Sequence, residues 1–142
     1  MLMSSHQHNT NEFYDAIAQY YPFFFRDWEV QMEREGLGLR SIFRNRGVLR
    51  VLDASCGAGA QAVPLAQLGF DVVAVDPSQG MLRKAQEIAA QYEVVDKIHF
   101  ERGDFLTLPD LVEGPFDAVV SKGNSLPHLL EDTEIEAAVH HF

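Results

Sequence analysis

The chain has 142 residues, 21 acidic against 11 basic side chains and a net charge of −10. That is one ordinary globular domain's worth of chain, with apolar residues for a single core and too few for two. A lone Cys56 excludes an internal disulfide framework, no apolar run approaches the roughly 20 residues a spanning helix needs, and the first residues lack the basic-then-apolar order of a signal peptide.

A cytoplasmic location without membrane insertion is therefore expected. Only three lysines are present, and neutralising phosphates needs a basic face, so a nucleic-acid partner is not expected. The local exception is Arg40, Arg44, Arg46 and Arg50. These read as a solvated face that suits the C-terminal dipole of a helix.

Residues 1–10 are polar and aperiodic and read as a disordered tail. From Asn11 the pattern turns helical, with Phe13, Ile17, Tyr20 and Tyr21 at three- and four-residue spacing until Pro22 interrupts it. A second helical stretch covers Asp27 to Asn45, with Gly36 and Gly38 as a break or kink and Gly47 as its end. Residues 11–47 are thus expected to form a helical lid ahead of a second unit, residues 48–142. The aromatic run Tyr20, Tyr21, Phe23, Phe24 and Phe25 reads as the buried face of that lid.

After Gly47 short apolar runs alternate with helical segments. Strands are expected at Val48–Asp53, Asp71–Val75, Lys97–Glu101 and Phe116–Val120, with helices at Ala60–Leu68, Gln79–Tyr92 and Glu131–Phe142. Parallel neighbours need a connection long enough to run back across the sheet, so this alternation specifies an α/β, doubly wound parallel sheet.

The chemistry concentrates at Val51-Leu52-Asp53-Ala54-Ser55-Cys56-Gly57-Ala58-Gly59-Ala60, a strand running through a glycine turn into a helix. Such glycines let a ligand approach the backbone and the helix N-terminus. Gly57 to Ala62 also fits the dinucleotide pattern, and Asp76 ends the second strand where ribose hydroxyls lie. An adenosine-type ligand follows. Asp53 and Ser55 turn the reading from a diphosphate toward a cationic amino-acid ligand, because like charges repel. Cys56 reads as a small packing residue, without a neighbouring base or second cysteine to make it a nucleophile. No metal site is expected.

From about Tyr14 to its end the sequence resembles class I S-adenosylmethionine-dependent methyltransferases. The resemblance rests on the glycine turn, on Asp76-Pro77-Ser78-Gln79-Gly80-Met81-Leu82, on Gly103-Asp104-Phe105 and on Phe116-Asp117-Ala118-Val119-Val120. It implies a Rossmann-like fold with S-adenosyl-L-methionine as cofactor. By the same resemblance Asp53, Ser55, Cys56, Gly57, Gly59, Asp76, Pro77, Met81, Asp104, Phe105, Ser121, Lys122 and Gly123 would bind it. Asp76 would hold both ribose hydroxyls, and Asp104 and Phe105 would hold adenine.

More narrowly, Glu101 to Leu108, Lys122 to Leu129 and the Tyr14-Asp15 and Asp27-Trp28-Glu29 segments are similar to glycine N-methyltransferases and glycine/sarcosine methyltransferases. That similarity implies methyl transfer to a small-molecule acceptor, an amine, with Tyr14, Asn124 and His128 at the reacting end. Where it places an arginine for an acceptor carboxylate, this sequence has Gln31, with Arg34 one turn further. The resemblance also implies a seven-stranded sheet, of which four strands can be counted here. The fourth would then present an unpaired edge, to be covered by self-association or by a second chain. On the residues alone, a non-catalytic module binding the same cofactor and a nicotinamide oxidoreductase fragment remain alternatives.

Overall fold

The computed structural model describes residues 5–122. The expected closing helix over residues 131–142, and with it Gly123, Asn124 and His128, lies outside the described residues. Four strands, β1 (Arg50–Asp53), β2 (Asp71–Asp76), β3 (Ile98–Arg102) and β4 (Ala118–Val120), form one sheet in the order β3-β2-β1-β4. Every pairing is parallel, with Val51 opposite Val72 and Ala118, and Val72 opposite Ile98. The doubly wound expectation holds. Among the described residues, β4 is an edge strand.

Alternation along the strands sends side chains to two faces. Val51, Val72, Ala74 and Val120 share one apolar cluster with residues of α2 (Trp28–Phe43), α3 (Ala62–Gln67) and α4 (Gln79–Gln91). Leu52, Val73 and Val75 face the other way and pack with Phe105 and Leu108, at the start of α5 (Leu108–Leu111). No helix among the described residues is long and apolar enough to cross a membrane.

The N-terminal region differs from the sequence expectation in three places. Helix α1 runs Ser5–Ile17 and so takes in residues 5–10 of the expected tail. His8 and Glu12, one turn apart, meet at 3.0 Å on its surface, a local pairing that apolar periodicity does not reveal. A 3-10 segment, Ala18–Phe24, carries Pro22. Third, α2 continues through Gly36 and Gly38, opened by Asp27, whose side chain accepts from the Val30 amide. Gly36 is a contact point and not a kink, since a Cβ there would sit 2.7 Å from Cβ of Pro64 on α3.

Arg50 also departs from its expected solvated role. Its guanidinium donates to the carbonyls of Glu113 and Pro115 at 2.8 and 3.2 Å, lies 4.5 Å from the centre of the Phe116 ring and pairs with Asp71. Asp117 completes the clamp by accepting the amides of Leu49 and Arg50 at 2.9 and 2.8 Å, and these bonds hold its carboxyl below the usual carboxylate range. The start of β1 is thereby tied to the entry of β4.

Candidate functional site

A cleft of about 260 Å³ opens at the C-terminal ends of β1 and β2, beneath α1 and α2. Its floor is the turn after β1. The Ala54 amide donates to Val120 and the Cys56 amide to Val75, each at 2.9 Å, so the turn is fixed to strands on both sides. Gly57 and Gly59 then take φ of +51° and +91°. At Gly59 a Cβ would also lie 2.9 Å from Val63, so the tight turn into α3 requires glycine there.

Two buried carboxylates support this floor. Asp76 accepts the Gly57 amide at 2.8 Å with Oδ2 and the Ser78 amide at 2.9 Å with Oδ1. Burial pushes its pKa up to about 6, with a smaller push from the charge of Asp15, although both amides oppose the rise. Each oxygen keeps a second acceptor site, and Asp76 lines the cleft. Asp53 is fully buried and lies behind the lining. Amides of Ser55 and Ala62 act on it, while burial and the Asp76 charge bring its pKa to about 7. Asp53 thus lies beneath the turn, where its Oδ2 is buried without a hydrogen-bond partner among the described residues.

Of the residues expected to bind the cofactor, Ser55, Cys56, Gly57, Asp76, Pro77, Met81, Asp104, Phe105 and Lys122 all line the cleft. Gly59 shapes the turn from behind, and the Ser121 hydroxyl supports the wall through Ser55 at 3.1 Å. Burial pushes the Cys56 thiol well above its usual range, which suits a packing role. Oδ1 of Asp104 accepts the amides of Leu106 and Thr107 at 2.9 and 3.0 Å, so the carboxylate is oriented by the turn that follows β3.

The N-terminal helices supply the roof. Asp15 accepts the Ser78 hydroxyl at 2.6 Å and the Gly80 amide at 2.7 Å. The approach is close enough that a Cβ at Gly80 would lie 2.9 Å from the Asp15 Cα. This anchor puts Tyr14 on the cleft with Tyr21 and Phe25. Both phenols are raised above their usual range, through burial first, with the charge of Asp76 next for Tyr14, and Tyr14 and then Asp76 next for Tyr21. The aromatic run divides: Tyr21 and Phe25 pack edge-on against Trp28 and face inward, whereas Tyr20, Phe23 and Phe24 are exposed.

Thr10, Asn11, Glu35 and Gln61 also line the cleft and were not anticipated as site residues. Glu35 carries the only usable signal, its position one turn after Gln31 on the same helix face. Gln31 donates to it at 3.0 Å, and Lys122 pairs with it across the cleft. Arg34 points elsewhere and is exposed. The described lining therefore carries the carboxylates of Glu35, Asp76 and Asp104 and one cation, Lys122.

Comparison with known proteins agrees with this architecture. The chain is 32% identical over 127 residues to glycine/sarcosine N-methyltransferase of Halorhodospira halochloris, covering 89% of this chain and 46% of that protein. It is 39% identical over 98 residues to human glycine N-methyltransferase, covering 64% and 33%. It spans under half the length of either relative. Among solved structures, magnesium protoporphyrin IX methyltransferase of Synechocystis PCC 6803 with bound SAM superposes with a TM-score of 0.63 at 27% identity, over 79% of this chain and 53% of that one. The sequence also matches the family described as methyltransferase domain over residues 51–142, and the chain belongs to that family.

Proposed function

We propose that this protein uses S-adenosyl-L-methionine to methylate a small-molecule acceptor at an amine nitrogen. The observation that carries the reading is Asp76, a buried carboxylate at the end of β2 that lines the cleft and whose two oxygens each accept one backbone amide, leaving each a second acceptor site. That is the arrangement a pair of vicinal ribose hydroxyls requires, since each donates to one oxygen. The SAM-bound neighbour supports this cofactor, and the names of the relatives support methyl transfer to nitrogen.

The residues present fit this group. The positive-φ turn at Gly57 and Gly59 leaves backbone at the cleft floor where its amino-acid end would lie. Phe105 and Met81 offer apolar surface to the adenine ring, and Asp104, already oriented by its turn, offers an acceptor to the ring's amino group. When bound, S-adenosylmethionine supplies a methyl group on a positively charged sulfur, which needs no further activation.

The chain's own task is then to position the acceptor and exclude water. Helices α1 and α2, anchored through Asp15, act as the lid, and Tyr14, Tyr21 and Phe25 form its inner face. Tyr14 remains a neutral phenol at physiological pH and can donate to or accept from the acceptor without repelling it.

Titration calorimetry with S-adenosylhomocysteine, and with NAD as the control, tests the reading. Saturable binding of the first, its loss in Asp76→Ala and no heat from NAD are expected. A folded chain that binds NAD, or that binds neither compound, would overturn it.

A further inference from the structure

At the end of the cleft nearest β4, Glu35 is the focus of a small charged cluster. It accepts from Gln31 at 3.0 Å and pairs with Lys122, and all three residues line the cleft. The partners are unequally exposed: the Glu35 side chain retains 15% of its accessible surface and that of Lys122 retains 45%. We infer that Glu35 is the acceptor-binding residue and that the acceptor is a small organic amine lacking a carboxylate, which replaces Lys122 on Glu35 as its ammonium and gives up a proton to water before its nitrogen takes the methyl group. The inference rests on the methyltransferase reading above and adds to it the charge class of the acceptor.

The exposure difference decides between two exchanges. An incoming ammonium takes the place of Lys122, whose half-exposed amine returns to water with little loss, and Glu35 stays paired throughout. An incoming carboxylate has to draw Lys122 away. That leaves a largely buried Glu35 with one neutral amide donor, and an uncompensated buried charge is strongly unfavourable. The rest of the described lining acts in the same direction, because Asp76 and Asp104 add negative charge and Lys122 is the only cation. A carboxylate-bearing acceptor is thus rejected by repulsion as well as by the loss of a pair.

The test uses the chain saturated with S-adenosylhomocysteine and three probes of similar size: ethylamine as the cation, glycine as the zwitterion and propionate as the anion. Ethylamine is expected to bind at least tenfold more tightly than glycine, and propionate not at all. Glu35→Gln should abolish ethylamine binding while leaving S-adenosylhomocysteine affinity intact, which also reports that the variant is folded. Lys122→Met should tighten ethylamine binding several-fold, because the internal competitor is gone; a carboxylate site would show the opposite, a loss of glycine binding.

Glycine binding as tightly as ethylamine, weaker ethylamine binding in Lys122→Met, or no probe binding to the loaded chain would each overturn the inference. Loss of S-adenosylhomocysteine affinity in a folded Glu35→Gln chain would overturn it too, since Glu35 would then be holding the cofactor. Failure of the unaltered chain to bind S-adenosylhomocysteine at all would instead remove the cofactor reading on which the inference stands.

Discussion

The carboxylate of Asp15 on α1 meets the hydroxyl of Ser78 at the head of α4 at 2.6 Å, and through it α1 is joined to Asp76. The Ser78 hydroxyl donates to Asp15 and accepts the Met81 amide, while its own backbone amide donates to Asp76. Asp15 also brings negative charge to a helix N-terminus, where it is favourable. Asp15→Ala is expected to cost about 1–2 kcal/mol and to raise hydrogen exchange selectively in α1. The affinity for S-adenosylhomocysteine should fall several-fold, and Asp15→Asn should recover part of it by keeping an acceptor at the same place.

Protonation of the two buried carboxylates sets an unusual pH dependence. Asp53 titrates at about 7 and Asp76 at about 6, against 3.8 for an unperturbed Asp. Both folded-state values lie above the unfolded one, so between pH 4 and 7 the folded chain binds more protons than the unfolded chain. Stability must then fall as pH rises through that window, by about 1.4 kcal/mol per pH unit for each proton held only in the folded state. Thermal melts of the ligand-free chain should show a higher midpoint at pH 5.5 than at pH 8, and Asp53→Asn should flatten the upper part of the curve. Ligand binding runs the other way, because ribose hydroxyls donate to an ionised Asp76: S-adenosylhomocysteine affinity should decline below about pH 6.

Two glycines of α2, one residue apart from adjacency, should respond to alanine with opposite signs. A Cβ at Gly36 meets Pro64 at 2.7 Å, whereas one at Gly38 meets nothing within 4 Å. Gly36→Ala has to push α2 off α3 and should destabilise the fold by roughly 1–3 kcal/mol. Gly38→Ala gains helix propensity and loses no contact, for a stabilisation of about 0.5–1 kcal/mol. Chemical denaturation of the two variants side by side would show whether α2 is seated as described.

At Arg50 the prediction concerns shape and not charge. Lysine keeps the charge but cannot reach two carbonyls and lie flat on Phe116 with one planar group. Arg50→Lys should therefore destabilise the chain by about 1 kcal/mol, measured as a shift in denaturation midpoint with an unchanged slope.

The strands and their parallel arrangement were legible because buried parallel strands write continuous β-branched runs such as Asp71-Val72-Val73-Ala74-Val75. The glycine turn and Asp76 were legible because backbone geometry there admits few residue types. What the sequence hid depends on contacts between distant segments. Gly36 looks like a helix breaker until Pro64 is known to lie against it, and Arg50 looks solvated until the 113–117 segment folds over it. Asp53 was anticipated as a ligand contact because its charge suited the ligand. Only the packing of strand against turn shows it to be enclosed. Glu35 passed unnoticed because a lone glutamate on a helix is ordinarily solvated; its partner Lys122 lies far along the chain.

The clamp between Arg50 and Asp117 joins residues 67 positions apart, whereas β2 and β3 each follow their neighbour after a single helical crossover. Loop closure over the longer span carries the larger entropy loss and yields only a three-residue strand in return. Assembly should accordingly be staged, with residues 50–102 consolidating first and β4 docking last. The glycine turn after β1 belongs to the early part, while Lys122 arrives with β4. In a pulse-labelling experiment the amides of Cys56 and Gly57 should gain protection before that of Asp117, so that the floor of the cleft exists, for a time, without the wall that carries Lys122.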